Sequence, residues 1–408
     1  MFEKRRPLRL RFAKGLLALF DKRADLEVDG LWSMACRLAK TNKAPLPADI
    51  REPLSVLVDS LETDARLNTL GRRSARNMLL LQLATRIQVD QALQANPVIG
   101  TTRLPDTLVV IGLPRTGTTL LHRLLARDPD ARAPQLWEMY YPVLDPIHFK
   151  RYPRMRKLAA KNTITAMRWW VDQLDKIHPS RHDSTEECIF LLARTFMCEQ
   201  FYLLLGDVRG YLDWSRDQDY TAAYAHYADQ LRLLLAQRPA RRLALKAPEH
   251  LTHLDTLLAN QPEARVVWLH RKPADAVPSY CSLVGMYHHL VCEDFSAHSL
   301  GQHILGRMAS WIDRGRSACE GRDDGRVLHV AYTDLLRDPF AVVERVYAHW
   351  GQPLEAKTLA SMRNWAAANP KHKHGHHRYT LAEFGLSEDR VSRTFEDYER
   401  WAQAILAD

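Results

Sequence analysis

Apolar positions recur at helical spacing through residues 10–95, most clearly in the Leu-, Ala- and Arg-rich stretch 66–93, as an amphipathic helix requires. Pro97 and Gly100 close that stretch. The pattern then changes to short apolar runs. Thr107-Leu108-Val109-Val110-Ile111 is brief and β-branched, which suits a strand buried on both faces. Residues 242–246, 265–270 and 326–331 read the same way, and helical spacing fills 118–127, 148–177, 184–205, 220–237 and 249–260. Short apolar strands alternating with helices predict parallel pairing through right-handed crossovers. The expected fold is α/β: a P-loop-like parallel sheet flanked by helices. A helical N-terminal region, 1–100, precedes an α/β domain, 101–408, that carries a helical insertion at about 140–237. In such sheets ligands bind beyond the C-terminal ends of the strands.

Composition narrows the classes. Of 408 residues 46% are hydrophobic and 26% charged, which excludes a largely disordered chain. No apolar run approaches the roughly 20 residues that span a bilayer. The six cysteines include no Cys-x-x-Cys pair, so free thiols and a cytoplasmic, reducing setting are expected. The net charge of +9 is spread along the chain, with no basic stretch interleaved with aromatics. That favours a pocket for a polyanionic small molecule over nucleic acid. Residues 1–20 carry Lys4, Arg5, Arg6, Arg9, Arg11 and Lys14 ahead of a short apolar patch. A docked amphipathic helix is expected there, with weak peripheral contact to anionic lipid as the alternative.

Chemistry concentrates at the strand ends. Gly112-Leu113-Pro114-Arg115-Thr116-Gly117-Thr118-Thr119 follows the first strand and opens a helix. Glycines five apart let backbone N–H groups converge on one cavity, and the helix start behind them favours an anion. A nucleoside triphosphatase would place Lys where Thr118 stands; here the cation is Arg115, inside the loop. At the end of the third strand stands Arg271, with Ser279 eight residues on. A guanidinium makes bidentate, charge-assisted bonds to phosphate.

Together these segments resemble the sulfotransferases that use 3′-phosphoadenosine 5′-phosphosulfate (PAPS). The loop Pro114-Arg115-Thr116-Gly117-Thr118-Thr119 is similar to their 5′-phosphosulfate loop, and 271–280 to their 3′-phosphate segment. The resemblance implies that Arg115 contacts the leaving phosphate and the sulfuryl group, and that Arg271 and Ser279 hold the 3′-phosphate. Tyr332-Thr333-Asp334-Leu335, ahead of Asp338-Pro339, resembles a segment whose Tyr packs on adenine. Leu120 stands where cytosolic members often stack a Trp on that ring. Lys246, in Lys246-Ala247-Pro248, resembles a bacterial-branch residue near the sulfate or acceptor. The likeness runs over about 107–350, and no metal is implied.

Transfer to a hydroxyl or amine requires a base. His178 and Glu186 are the candidates. Glu187 is expected to be occupied by a capping box with Ser184, and His288-His289 is a weaker alternative. The run 371–379, rich in His and Lys, reads as a solvated basic loop; closure over the nucleotide through Arg378, or metal binding, are its alternatives. The expected activity is sulfuryl transfer from PAPS to a small-molecule, glycan or lipid acceptor. A P-loop-type kinase and a non-catalytic nucleotide-binding module are the alternatives.

Overall fold

The structure, a computed structural model, describes residues 25–42, 44–143, 153–170, 181–369 and 379–407. Helices of eight or more residues are numbered here. Three of them, α1 (Val28–Leu38), α2 (Ala48–Thr63) and α3 (Thr69–Ala95), come first. The chain then enters β1 (Asp106–Gly112), α4 (Thr118–Leu125), β2 (Ala131–Arg132), α5 (Pro153–Trp170), α6 (Thr221–Gln237) and β3 (Arg242–Lys246). It continues through β4 (Ala264–His270), α7 (Pro273–Val291), α8 (Ala297–Cys319), β5 (Val327–Ala331), α9 (Pro339–Trp350), α10 (Ala356–Ala368) and α11 (Glu396–Ala407).

The five strands pair in the order β2-β3-β1-β4-β5, all parallel. β1 lies at the centre, with Val109 opposite Leu245 of β3 and Val266 of β4. Successive side chains leave a strand on opposite faces, so the run that looked uniformly apolar serves two cores. Val109 and Ile111 join one cluster, Leu108 and Val110 the other. The first cluster extends from Leu26 through α3 to Ala402. The helices before residue 100 therefore share their core with one face of the sheet. Asn68 fixes them: its side chain accepts from the Gly71 N–H and donates to the Leu290 and Cys292 carbonyls, capping α3 and tying it to the end of α7.

β2 was not expected. It is two residues long, too short to show a period, and Arg132 within it is buried against Glu138 at 2.8 Å. The helix expected over 184–205 is a correction of larger consequence. That stretch is a chain of single turns, Ile189–Leu192, Ala193–Thr195, Glu199–Tyr202 and Leu203–Leu205, broken at Phe196 with φ +58°. Distant side chains satisfy the interrupted backbone. The two carboxyl oxygens of Glu249 accept from the N–H groups of Glu199 and Gln200 at 2.8 and 2.9 Å. The Tyr211 hydroxyl donates to the Phe196 carbonyl and accepts from the Cys198 N–H. With its buried polar groups paired, the break costs little, and the apolar pattern alone could not reveal it. The helix expected over 249–260 likewise divides, into a tight turn Pro248–Leu251 and a helix Leu254–Asn260.

Candidate active site

β1 stops at Gly112 because the chain must turn there. Gly112 has φ +145°, and a Cβ on it would lie 2.6 Å from the Leu269 carbonyl oxygen. Gly117 has φ +87°, and a Cβ there would meet the Tyr332 ring at 3.0 Å. Both positions exclude other residues. Between them Thr116 turns its hydroxyl inward to donate to the Leu113 carbonyl at 2.7 Å, a staple within the loop. Arg115 has φ +73°, which throws its side chain across the loop toward α7. Its Nε donates to Ser279 Oγ at 3.0 Å, and Arg271 Nη1 donates to the Arg115 carbonyl at 2.7 Å. The Arg271 guanidinium lies 4.6 Å over the Tyr332 ring, a cation–π contact. The loop, the end of β4, the first turns of α7 and the chain after β5 thus converge.

Burial and the neighbouring Arg271 charge lower the pKa of Arg115 from its ordinary value. Two guanidiniums this close, at the uncapped start of α4, make a positive site that an anion would relieve. Arg271 Nε is buried and, among the described residues, makes no hydrogen bond; Asp275 is its ionic neighbour at 3.6 Å.

Lys246 ends β3 with its ammonium buried. Nζ donates to Glu187 Oε1 at 2.6 Å and lies 3.4 Å from Thr119 Oγ1. The capping box expected of Ser184 and Glu187 does not form. Ser184 folds back on Arg181, donating to its carbonyl and accepting its N–H, and Glu187 answers the ammonium instead, because an unpaired buried charge is expensive. Glu186 is buried beside it, with Oε1 3.3 Å from Ser184 Oγ and 3.7 Å from Arg123 Nη2. His178 and Arg378 lie outside the described residues, as do residues 1–24 and most of the His-rich run. His288 is buried and donates from Nε2 to the Leu203 carbonyl at 2.7 Å.

The loop, Arg271, Ser279, Glu186 and Glu187 open onto a cavity of about 810 Å³, whereas the buried Lys246, Thr116 and His288 are not in its lining. Pro114, Arg115, Gly117, Thr118, Thr119, Arg271, Ser279 and Tyr332 line one wall, and Glu186 and Glu187 are also in the lining. The other wall is apolar: Leu70, Met78 and Leu81 of α3, Ile164 of α5, Phe190, Phe201 and Leu204 from the broken segment, and Leu283 and Tyr287 of α7. The hydroxyl of Tyr280, also in the lining, is buried without a hydrogen-bond partner among the described residues. Leu120 is not in the lining; it packs against the smaller core cluster on the other face of the sheet. Tyr202 is a core residue and Trp214 packs against the same core.

Several buried ionisable groups near this site leave no mark on the local sequence pattern. His122 donates from Nε2 to the Ala244 carbonyl, and burial with the Lys246 charge pushes its pKa down to about 3. His250 bonds the Tyr224 hydroxyl at 2.8 Å and contacts Cys188 Sγ at 3.2 Å; burial lowers it to about 3. Glu249 is raised to about 8 by burial and by the Glu199 carboxylate. A lone His or Glu inside a helical run carries no sign of its distant partners.

Residues 106–356 match the model of the sulfotransferase family. The sulfotransferase STF1 of Mycobacterium tuberculosis H37Rv is 29% identical, and its crystal structure superposes with a TM-score of 0.80 over 92% of this chain and 99% of that one. Sulfotransferase STF9 of Mycobacterium avium is 28% identical, with a TM-score of 0.80 over 93% and 97% of the two chains. Omega-hydroxy-beta-dihydromenaquinone-9 sulfotransferase Stf3 of Mycobacterium bovis is 23% identical over 309 residues, 71% of this chain and 74% of that protein.

Proposed function

Since the chain belongs to the sulfotransferase family, we propose that it draws the sulfuryl group from PAPS and delivers it to a hydroxyl on a lipid-like small molecule held against the apolar wall. One observation carries this reading: Arg115, Arg271 and Ser279, up to 164 residues apart, meet at the strand ends beside a cavity whose opposite wall is apolar. Two phosphate groups need two cationic sites, and an apolar acceptor needs a dry slot. The name of the M. bovis relative, which acts on a menaquinone derivative, supports the lipid-like class.

In this scheme Pro114, Arg115, Thr116, Gly117, Thr118 and Thr119 surround the 5′-phosphosulfate, with Thr116 contributing its backbone. Arg271 and Ser279 take the 3′-phosphate, Tyr332 flanks the base, and Lys246 faces the sulfuryl oxygens from below. Leu120 supports the loop from the sheet side. The acceptor oxygen attacks sulfur in line; its new S–O bond forms as the bond to the 5′-phosphate breaks, and the electron pair passes to that phosphate oxygen, where Arg115 stabilises the charge. Among the described lining residues Glu186 and Glu187 are the acids, and we assign the hydroxyl proton to this pair. Glu187 gains that role because Lys246, not a capping box, engages it.

Calorimetric titration with 3′-phosphoadenosine 5′-phosphate tests the reading. Wild type should bind it and ignore ATP, and Arg271→Ala should bind at least about ten-fold more weakly. A preference for ATP would replace the sulfotransferase scheme with that of a kinase.

A further inference from the structure

Helix α5 presents two different faces. Its inner side is used: Ile164 and Thr163 line the cavity, Ala160 is buried, and the buried Arg156 donates to the Tyr141 carbonyl and to Gln237 Oε1. Its outer side carries Met155 and Leu158, 45% and 55% exposed, two of the few large apolar side chains left in water among the described residues. Lys157, Lys161 and Arg168 are also exposed, Lys157 with its ammonium 5.1 Å over the Trp137 ring. At 100° per residue, Met155, Leu158, Asn162 and Thr165 occupy one half of the exposed arc and Lys157, Lys161 and Arg168 the other. Residues 153–170 contain five basic residues and no acid.

The position of this face gives it meaning. Ser74 and Asn77, on α3, are the exposed members of the cavity lining, so the cavity opens there. Leu81 of α3 and Ile164 of α5 pack against the same small cluster around Leu136 and Tyr140. α5 therefore adjoins α3 on one side of the cavity, and its outer face is the outside of that wall.

We infer that this outer face docks on an anionic lipid bilayer, with Met155 and Leu158 entering the headgroup boundary and Lys157, Lys161 and Arg168 meeting the negative surface. Apolar side chains bordered by basic residues, on a helix without acids, are what such a surface selects. The orientation rests on the proposed apolar acceptor site, since an acceptor dissolved in lipid would then reach the mouth without crossing water. The docking itself does not depend on the chemistry.

Co-sedimentation of the full chain with phosphatidylcholine vesicles, with and without about one-third phosphatidylglycerol, tests this. Wild type should bind the anionic vesicles, weaken as salt rises, and ignore pure phosphatidylcholine. Lys157→Glu/Lys161→Glu should lower binding roughly thirty-fold or more, and Met155→Ser/Leu158→Ser should lower it about ten-fold or more. Leu336→Ser, an exposed apolar site elsewhere, should leave binding unchanged. Unaltered melting temperatures and unaltered PAPS turnover on a short, water-soluble alcohol would show that the variants are folded and competent. Binding that survives both double substitutions would place the lipid contact elsewhere and overturn the inference. So would absence of wild-type binding, or self-association abolished by the same substitutions, which would give the face to a second copy. Vesicle binding without turnover on any alcohol would retain the inference while the sulfotransferase scheme failed.

Discussion

One wall of the cavity is made of chain that has just left a parallel sheet, the other of helices. The wall built on the glycine loop takes its shape from β1 and β4, nearly all of whose residues are buried, and from two glycines that no other residue can replace. Its groups are polar, and their positions follow from strand ends that cannot slide without breaking the ladder. The helical wall is assembled from α3, α5, α7 and a stretch that is helical only in single turns. Most of its groups are apolar and interchangeable in kind, with Ser74, Asn77 and Thr163 the polar members on α3 and α5. α7 belongs to both, with Ser279 on the first wall and Leu283 and Tyr287, further along the helix, on the second. Directional groups belong on the stiffer frame, because a charge displaced by an ångström loses most of its value in a transition state. Burial of an apolar acceptor is non-directional and tolerates a softer wall.

The contrast predicts how each wall fails. Arg115→Ala should lower kcat by about 10³-fold, with little change in acceptor KM, measured by initial rates at saturating PAPS. Replacing Glu186 and Glu187 together by Gln should lower kcat by about 10²–10⁴-fold and flatten its dependence on pH; a double variant with wild-type kcat would show that the base lies outside this pair. Leu283→Ala, on the helical wall, should raise KM for an apolar acceptor about ten-fold and leave nucleotide affinity intact by calorimetry. If it weakened the nucleotide instead, the division between the walls would be wrong.

The smallest effect tests the joint between them. Glu249 holds the broken segment to the end of β3, and its carboxyl is raised to about 8. The folded protein keeps a proton that the unfolded chain, with an ordinary carboxyl, has lost. Stability from this group is therefore full below about 4.5 and falls as pH rises toward about 8. The melting temperature of Glu249→Gln should lack that part of the decline between pH 5 and 8. A slope identical to wild type would show that Glu249 is ionised throughout.

Legibility divided along the same line. The strands expected at 107–111, 242–246, 265–270 and 326–331 were readable because a strand of a parallel sheet leaves a local run of apolar residues, and the turn from Gly112 to Gly117 because its glycines answer to local backbone geometry. Arg271 and Ser279 were singled out by the resemblance of 271–280 to a family segment, and the structure adds that both meet Arg115. The partner of Glu187 was misread: Ser184 three residues before it signals a cap, while Lys246, which claims it, lies 59 residues away. The helix over 184–205 was misread for the same reason, since Glu249 and Tyr211 supply the partners that let the backbone break.

The sequence by itself determined the strands, the loop between Gly112 and Gly117 and the charges that attend it, because those depend on hydrophobic period, turn sterics and residue type within a few positions. The tertiary structure alone decided that α3 lines the cavity, that Leu120 turns to the sheet, that Glu187 faces Lys246 and that α5 turns a basic and apolar face outward. Those outcomes depend on which distant surfaces meet, and a side chain tens of residues away leaves no mark on the local pattern.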